Sequence, residues 1–295
     1  MDLTKNIYAF WGVRNVNFYD INIEQDQPKF IQPYTVELLH DDTAIKCNKT
    51  VLDFFNQVHE KLLVKNLSGA YDIFGKYLNE PKENCLGYAS STNGKGLNDL
   101  AFYAMKQILD QPFLVEEIKQ IADMQLYVEQ IMQDRISDIY TNVTRKILKD
   151  YTIEQCKLYN MTHLLKEREL GPYWDIKTHS WITNSKCFML VIDNKPIILT
   201  PKLFLRGSFG PYKLYRNVLL KEWINQDLSR NESSLIKTRK NGEKYITKKE
   251  KDKEMRNGGF VPSKSEMVLF ASDNLNTTKT LRKILEERRN RKKKI

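Results

Sequence analysis

The sequence predicts an α+β fold, because the spacing of apolar residues changes twice along the chain. Short stretches rich in β-branched and aromatic residues open the chain and return between residues 187 and 202, as is typical of strands. Between these two regions the apolar residues follow helical spacing. We therefore expect N-terminal strands, a helical middle, a β-hairpin around 187–202 and a helical, basic C-terminal region.

The N-terminal strands are predicted from three segments, NIYAFWGV, VNFYDINI and KFIQPYTVEL. Asn, Pro and Gly punctuate these segments, as they do where turns join short strands. A meander is the expected arrangement.

The helical middle begins with five apolar residues spaced along one helical face, namely Val51, Phe54, Phe55, Val58 and Leu62. Residues three, four, seven and eleven positions apart lie on the same side of a helix. By the same criterion, we expect further helices over residues 67–78, 97–109, 113–132, 136–148 and 153–159.

The segment KCFMLVIDNKPIILTPKLFL contains two apolar runs separated by DNK, a pattern that indicates a hairpin. Farther along, the polar stretch SRNESSLIKTRKNGEK is the predicted linker. It divides the chain into a mixed α+β domain, 1–228, and a basic, partly helical region, 229–295. Within that region, TKKE and PSKSE are typical of helix starts.

Positive charge is concentrated near the C-terminus. The formal net charge is +10, but residues 279–295 carry nine Lys/Arg against two Glu, and residues 237–256 carry nine against four acids. The rest of the chain sums to −2. A field concentrated in this way attracts polyanions, so DNA or RNA is the expected partner. The alternative is a solvated, frayed tail that binds nothing in particular.

The residues expected to contact phosphate share a positive charge and, with two exceptions, belong to the tail. They are Arg135, Arg206, Lys279, Arg282, Lys283, Arg288, Arg289, Arg291, Lys292, Lys293 and Lys294. Since only Tyr245 and Phe260 lie near the basic clusters, we expect contacts to the nucleic-acid backbone and not to the bases.

The cysteines, histidines and apolar runs exclude several classes of protein. The four cysteines form no CxxC pair, and none of the four histidines lies beside them at ligand spacing. This pattern argues against a structural zinc and favours a reducing, cytoplasmic setting. The longest apolar run, CFMLVI, is too short for a membrane span, so no membrane association is expected.

Asp134 and Asp138 lie four residues apart at the start of a predicted helix. In one interpretation, Asp134 is near the N-cap and Asp138 is a solvent-side acid. In the other, the two carboxylates hold one Mg²⁺ and Arg135 meets a phosphate. Spacing alone leaves both open.

Asp175 and Lys202 flank the predicted hairpin and are candidate catalytic residues. Nucleases of the restriction-endonuclease type place an aspartate at a strand start, then an acid and a lysine separated by one residue on the next strand. Here the residue two before Lys202 is Thr200 and not an acid. The missing metal ligand would have to come from elsewhere, for example from Asp193, from Glu169, or from the helix that carries Asp134 and Asp138. A lysine at a strand end is otherwise an ordinary solvated terminus.

Four segments, QDRISDIYTN, GPYWD, KPIILTPK and NGEKYITKKE, together resemble an uncharacterised family of bacterial proteins associated with phage-defence or mobile-element loci. The resemblance covers most of the chain. It implies an effector or accessory subunit of a defence system, and nucleases are the commonest effectors. We therefore predict a nucleic-acid-binding protein, with a metal-dependent nuclease as the enzymatic hypothesis. The alternative is a non-catalytic subunit that docks on a partner ATPase or nuclease.

Overall fold

The computed structural model has the expected α+β architecture and divides into two compact parts, unit 1 (Met1–Ser208) and unit 2 (Phe209–Ile295). It describes residues 6–87, 97–206, 221, 224–231, 233–257, 264, 268, 271, 272, 277–279 and 281–283.

Eight α-helices, two short 3-10 helices and seven strands form the described part of unit 1. The helices are α1 (Ile7–Trp11), α2 (Pro33–Val36), α3 (Asp42–Leu63), α4 (Leu67–Phe74), α5 (Leu97–Asp110), α6 (Pro112–Glu117), α7 (Ile121–Tyr127) and α8 (Gln133–Leu158). The strands are β1 (Phe30–Ile31), β2 (Leu165–Leu170), β3 (Tyr173–Asp175), β4 (Ser180–Ile182), β5 (Ser185–Ile192), β6 (Lys195–Ile197) and β7 (Leu205–Arg206). Helix α8 packs against α3 and α7 and against β1, β2, β3 and β5, so the core of the unit surrounds it.

The strands of unit 1 form three small antiparallel sheets. The largest has the order β2–β5–β6, while β1 pairs with β7 and β3 pairs with β4. The predicted hairpin is confirmed as β5 and β6, joined at Asp193 and Asn194, whose φ angles are 49° and 63°. These angles suit the tight turns that connect twisted strands. The second strand ends at Ile197, and the charged strand β2 (LKEREL) was not predicted because it lacks strand-type alternation.

Helices α3 and α4 confirm the predicted helical pattern after residue 50. Helix α3 starts earlier than its apolar stripe because the Asp41 carboxylate accepts a hydrogen bond from Ala44 N at 3.0 Å, a typical N-cap. Asn66 caps α4 in the same way, through Gly69 N at 2.8 Å. The buried face of α3 includes Phe54 and Phe55, both fully buried.

The predicted N-terminal meander is wrong. Its three segments form the helices α1 and α2, the two-residue strand β1 and isolated bridges. Pro33 occupies the first turn of α2, where proline's fixed φ favours a helix start. Phe18 is fully buried, and its ring centroid lies 5.4 Å from that of Trp11 and 5.9 Å from that of Tyr159. The aromatic side chains thus pack into a core and do not line a sheet.

Two helix boundaries also differ from the prediction. The segment 113–132 is divided into α6 and α7, because the Asp123 carboxylate accepts hydrogen bonds from Lys119 N at 2.9 Å and Gln120 N at 3.0 Å. These bonds begin a new helix with a capping box. In contrast, 136–148 and 153–159 belong to one helix, α8, since no Pro or Gly interrupts them.

Helix α8 buries many polar side chains, which anchor the loops around it. Ser137 Oγ accepts a hydrogen bond from Ile31 N at 3.0 Å, and Thr152 Oγ1 accepts one from Leu199 N at 2.8 Å. Each bond satisfies a backbone donor that would otherwise be buried without a partner. The Asn142 amide donates to Asn79 O at 2.7 Å. These polar contacts, together with the apolar stripe, fix the position of the surrounding chain.

Arg145 lies at the centre of this polar face, with 1% of its surface exposed. Its Nε donates to Glu83 Oε1 at 2.5 Å, its Nη2 to Asn79 Oδ1 at 3.0 Å, and its Nη1 to Pro172 O. A Cβ at Gly171 would lie 3.0 Å from the Arg145 Cζ atom, so glycine leaves room for the guanidinium. The buried charge is therefore both paired and hydrogen-bonded, as burial requires.

Unit 2 contains a small core under a β-hairpin. The strands β8 (Lys237–Thr238) and β9 (Lys244–Tyr245) pair antiparallel, and Gly242 has a φ of 82°, which favours glycine at this turn. The predicted linker is therefore folded, and the NG pair within it is a hairpin signal. Helix α9 (Lys248–Asn257) begins at the predicted TKKE start, where Thr247 Oγ1 accepts from Glu250 N at 3.3 Å and donates to Glu250 Oε2 at 2.6 Å.

The domain boundary expected after residue 228 lies inside unit 2. The helical residues 224–230 belong to this unit because Ile224 and Ile246 form its buried apolar cluster, with Leu228 packed against it. The Lys251 ammonium also lies 2.6 Å from Asp227 Oδ2. Apolar burial and this ion pair thus connect the segment before residue 229 to the hairpin and α9.

Candidate functional site

The carboxylate of Asp134 lies in the first turn of α8 but is not its N-cap. Met132 occupies the N-cap position, and no side chain caps the helix there. Asp134 thus lies near the N-cap, as predicted, but it makes no capping hydrogen bond. A negative charge in the first turn still interacts favourably with the helix dipole.

Asp138 is a largely buried acid and not the solvent-side residue of the first interpretation. Its side chain is 16% exposed, and Arg135 Nη1 lies 4.0 Å from its Oδ2. Burial raises the pKa of Asp138 to about 8; Arg135 opposes this rise, while Asp134, Glu80 and Asp26 add to it. At neutral pH the carboxyl group of Asp138 is therefore mostly protonated in the folded chain.

The structure places Arg135, Asp134 and Asp138 together, but the Mg²⁺ hypothesis for them stays a prediction. Within residues 6–87 and 97–206 and the described parts of unit 2, no group of three or more His, Cys, Asp or Glu has a geometry that could hold a metal ion. Arg135 faces Asp138 and so contacts a carboxylate of its own chain.

Asp175 and Lys202, the candidate catalytic pair, have separate partners. The Asp175 carboxylate accepts hydrogen bonds from Lys177 N at 3.4 Å and Thr178 Oγ1 at 3.2 Å, which stabilise the turn after β3. The Lys202 ammonium lies 5.1 Å from the centroid of the Tyr8 ring. No ion pair joins Asp175 to Lys202 among the described residues of unit 1.

In unit 2, ion pairs neutralise part of the basic segment 237–256. The Lys237 ammonium pairs with Glu250, Arg239 Nη1 lies 2.8 Å from Glu243 Oε2, and Lys251 pairs with two acids. Arg239 also covers Tyr245, with its Cζ atom 5.1 Å from the ring centroid. Part of the positive charge of this segment is thus neutralised by ion pairs within unit 2.

Six lysines beyond residue 239 are exposed, and the described structure gives their side chains neither an ion-pair nor a hydrogen-bond partner. They are Lys240, Lys248, Lys249, Lys253, Lys279 and Lys283, and we call them the exposed lysine set. Within the helical residues 277–279 and 281–283, Leu281 is buried, whereas Lys279 and Lys283, four positions apart, are exposed. The start of the tail is therefore a packed helix with a basic face.

The structure describes only two of the other residues that were predicted to contact phosphate. Arg282 is helical and half-buried. Arg206 lies in β7, where it pairs with Phe30. The other predicted tail residues, Arg288, Arg289, Arg291, Lys292, Lys293 and Lys294, lie outside the described residues.

The structure brings together a pair that the sequence did not reveal, Asp53 of α3 and His179 of the β3–β4 turn. The Nδ1 atom of His179 lies 2.8 Å from Asp53 Oδ1, and Trp174 Nε1 donates to Asp53 Oδ2 at 2.7 Å. The Asp53 side chain is 15% exposed and the His179 side chain 53% exposed. We call this pair the Asp53–His179 dyad. The two residues lie too far apart in sequence for spacing to have indicated it.

The fold and the exposed lysine set define an α+β protein with a basic C-terminal unit. The chain matches the family described as "Domain of unknown function (DUF8370)" over residues 12–210, and it belongs to that family. No curated protein and no solved structure matches the chain. Over the described residues, no helix combines the length and apolar character needed to cross a membrane.

Proposed function

We propose that this protein binds nucleic acid through the phosphate backbone, with the exposed lysine set of unit 2 as the main contact. The observation that supports the proposal is that these six lysines are exposed without an ion-pair partner in the described structure, while neighbouring cations pair with acids. Unpaired surface cations gain most from a polyanion, because phosphate contacts release condensed counterions.

The environment of Tyr245 favours contact with the phosphate backbone of the nucleic acid over base stacking. Its ring is already covered by the guanidinium of Arg239, so a base would have to displace a cation–π contact to stack there. Binding of this kind depends strongly on salt and weakly on sequence.

The proposal is tested by changing Lys240, Lys248, Lys249 and Lys253 to Gln in the full chain. The affinity for labelled single-stranded DNA, single-stranded RNA and duplex DNA of equal length is then measured by fluorescence anisotropy at several salt concentrations. We expect weaker binding, and a slope of log K against log salt that falls by about 0.7–0.9 for each phosphate that is no longer neutralised.

A matched control removes four exposed lysines of unit 1, Lys46, Lys49, Lys157 and Lys166, and so changes the net charge equally. It should keep most of the wild-type affinity and slope. Equal weakening in both variants, or no binding by the wild-type chain, would show that the exposed lysine set is not the contact surface.

The other functional hypotheses remain predictions. Metal-dependent cleavage with Mg²⁺, a setting in phage defence, and docking on a partner ATPase or nuclease rest on sequence patterns and the family resemblance. Anisotropy samples with and without Mg²⁺ that are afterwards analysed on a denaturing gel would test the first of them directly.

A further inference from the structure

The Asp53–His179 dyad has the features of an oriented proton acceptor. Because Asp53 Oδ1 lies 2.8 Å from His179 Nδ1, the carboxylate fixes the ring proton on that nitrogen and leaves Nε2 with a free lone pair. No hydrogen bond to Nε2 of His179 is found among the described residues. The His179 side chain is 53% exposed, so the ring is partly open to solvent.

The carboxylate that orients His179 is itself held rigidly. Asp53 lies in the middle of the 22-residue helix α3, and its second oxygen accepts the indole N–H of Trp174, a residue only 4% exposed. The Trp174 ring contacts Phe54, with centroids 5.2 Å apart. A base positioned by a fixed third group is the arrangement that proton-transfer catalysis requires.

Trp181 and Lys177 lie two residues from His179 along the chain, on β4 and on the turn before it. The partly exposed rings of Trp181 and Tyr77 have centroids 6.0 Å apart, and Trp181 follows His179 by two residues on β4. Lys76 is exposed, with its ammonium 5.5 Å from the Tyr77 centroid, and Lys177 is exposed on the turn that carries His179. Exposed lysines meet phosphates, so the turn that carries His179 suits the backbone of a polynucleotide.

We propose that His179 is the general base of a site that cleaves single-stranded RNA, with Asp53 as its positioning residue. The inference rests on the proposed function for its substrate class and narrows that class to RNA. An RNA strand carries its own nucleophile, the 2′-hydroxyl. A single oriented base is therefore enough to start the reaction.

In the proposed step, Nε2 of His179 accepts the proton of the 2′-hydroxyl while the 2′-oxygen forms a bond to the adjacent phosphorus. The bond from phosphorus to the 5′-oxygen breaks, and the leaving oxygen takes a proton from water. The products are a 2′,3′-cyclic phosphate and a 5′-hydroxyl. The imidazolium then returns its proton to the hydroxide left in solvent, which balances the step.

The test incubates the full-length protein with a 5′-labelled single-stranded RNA in EDTA and separates the products on a denaturing gel. The wild-type chain should give fragments that end in a 2′,3′-cyclic phosphate, whereas the same RNA with 2′-O-methyl groups should stay intact. His179→Ala should slow cleavage by about 100-fold or more, since general-base groups contribute 10²–10⁴-fold.

Two further variants separate positioning from folding. Asp53→Asn should lower kcat for cleavage with little change in KM, because the base loses its orientation while the contacts that bind the RNA remain. His163→Ala, which removes another exposed histidine, should cleave at the wild-type rate.

Intact RNA after incubation with the wild-type chain would overturn the proposal, as would undiminished cleavage by His179→Ala. Either result would leave the lysine test unaffected, because anisotropy measures binding without cleavage. Weaker binding by the lysine variant but not by its control, combined with intact RNA, would thus refute the cleavage site alone.

Discussion

Arg145→Ala is expected to lower the free energy of unfolding by about 3–5 kcal/mol, the usual cost of removing one partner of a buried ion pair. The guanidinium donates to Glu83, Asn79 and the carbonyl of Pro172. Without it, the Glu83 carboxylate, whose side chain is 16% exposed, loses its charge partner, and two further acceptors lose a donor. Urea unfolding followed by tryptophan fluorescence measures the change.

Lys146→Ala is the matched control, because Lys146 is the neighbouring cation on α8 and is exposed. Its cation–π contact with Tyr173 contributes about 0.5–1 kcal/mol at an exposed site. Adding Glu83→Gln to Arg145→Ala should recover part of the stability, since it removes the uncompensated charge. Equal urea midpoints for Arg145→Ala and the wild-type chain would contradict the anchoring role.

Asp138→Asn is expected to make the protein more stable than the wild-type chain, increasingly so as pH rises from about 6 to about 8. The pKa of Asp138 is about 8 in the folded chain, against about 3.9 for an unperturbed aspartate. Between these values the folded chain binds one more proton than the unfolded chain, so stability falls with rising pH. The decrease is about 1.4 kcal/mol per pH unit in this window.

Denaturant unfolding at several pH values across this range measures the difference. An asparagine side chain cannot ionise, so the advantage of Asp138→Asn over the wild-type chain should grow across the series. Asp72→Asn, which removes an exposed carboxylate on α4, should follow the wild-type pH dependence. A constant difference between Asp138→Asn and the wild-type chain would show that Asp138 is ionised throughout the range.

The two functional proposals concern different units of the chain and make separate demands on them. Binding requires only that lysines of unit 2 stay exposed and free of acids. The proposed cleavage requires a fixed relation between α3 and the β3–β4 turn in unit 1, which the bonds of Asp53 to His179 and Trp174 provide. Exposed positive charge is enough for binding, whereas cleavage requires that His179 be held in a fixed orientation by Asp53.

The helices with clear apolar stripes and the hairpin of β5 and β6 were predictable because local spacing and turn residues determine them. The stripe of Val51, Phe54, Phe55, Val58 and Leu62 became the buried face of α3. The N-terminal segments were misassigned because aromatic residues suit a strand and a packed core equally well. Their contacts with distant residues, such as Phe18 with Tyr159, decided between the two.

The sequence by itself determined the α+β class, the helical middle and the concentration of positive charge near the C-terminus, since these depend on residue type and local order. Only the tertiary structure decided which cations stay exposed, which acid is buried, and that Asp53 meets His179. These properties arise from contacts between residues far apart in the chain. Spacing along the sequence does not show which distant residues come into contact when the chain folds.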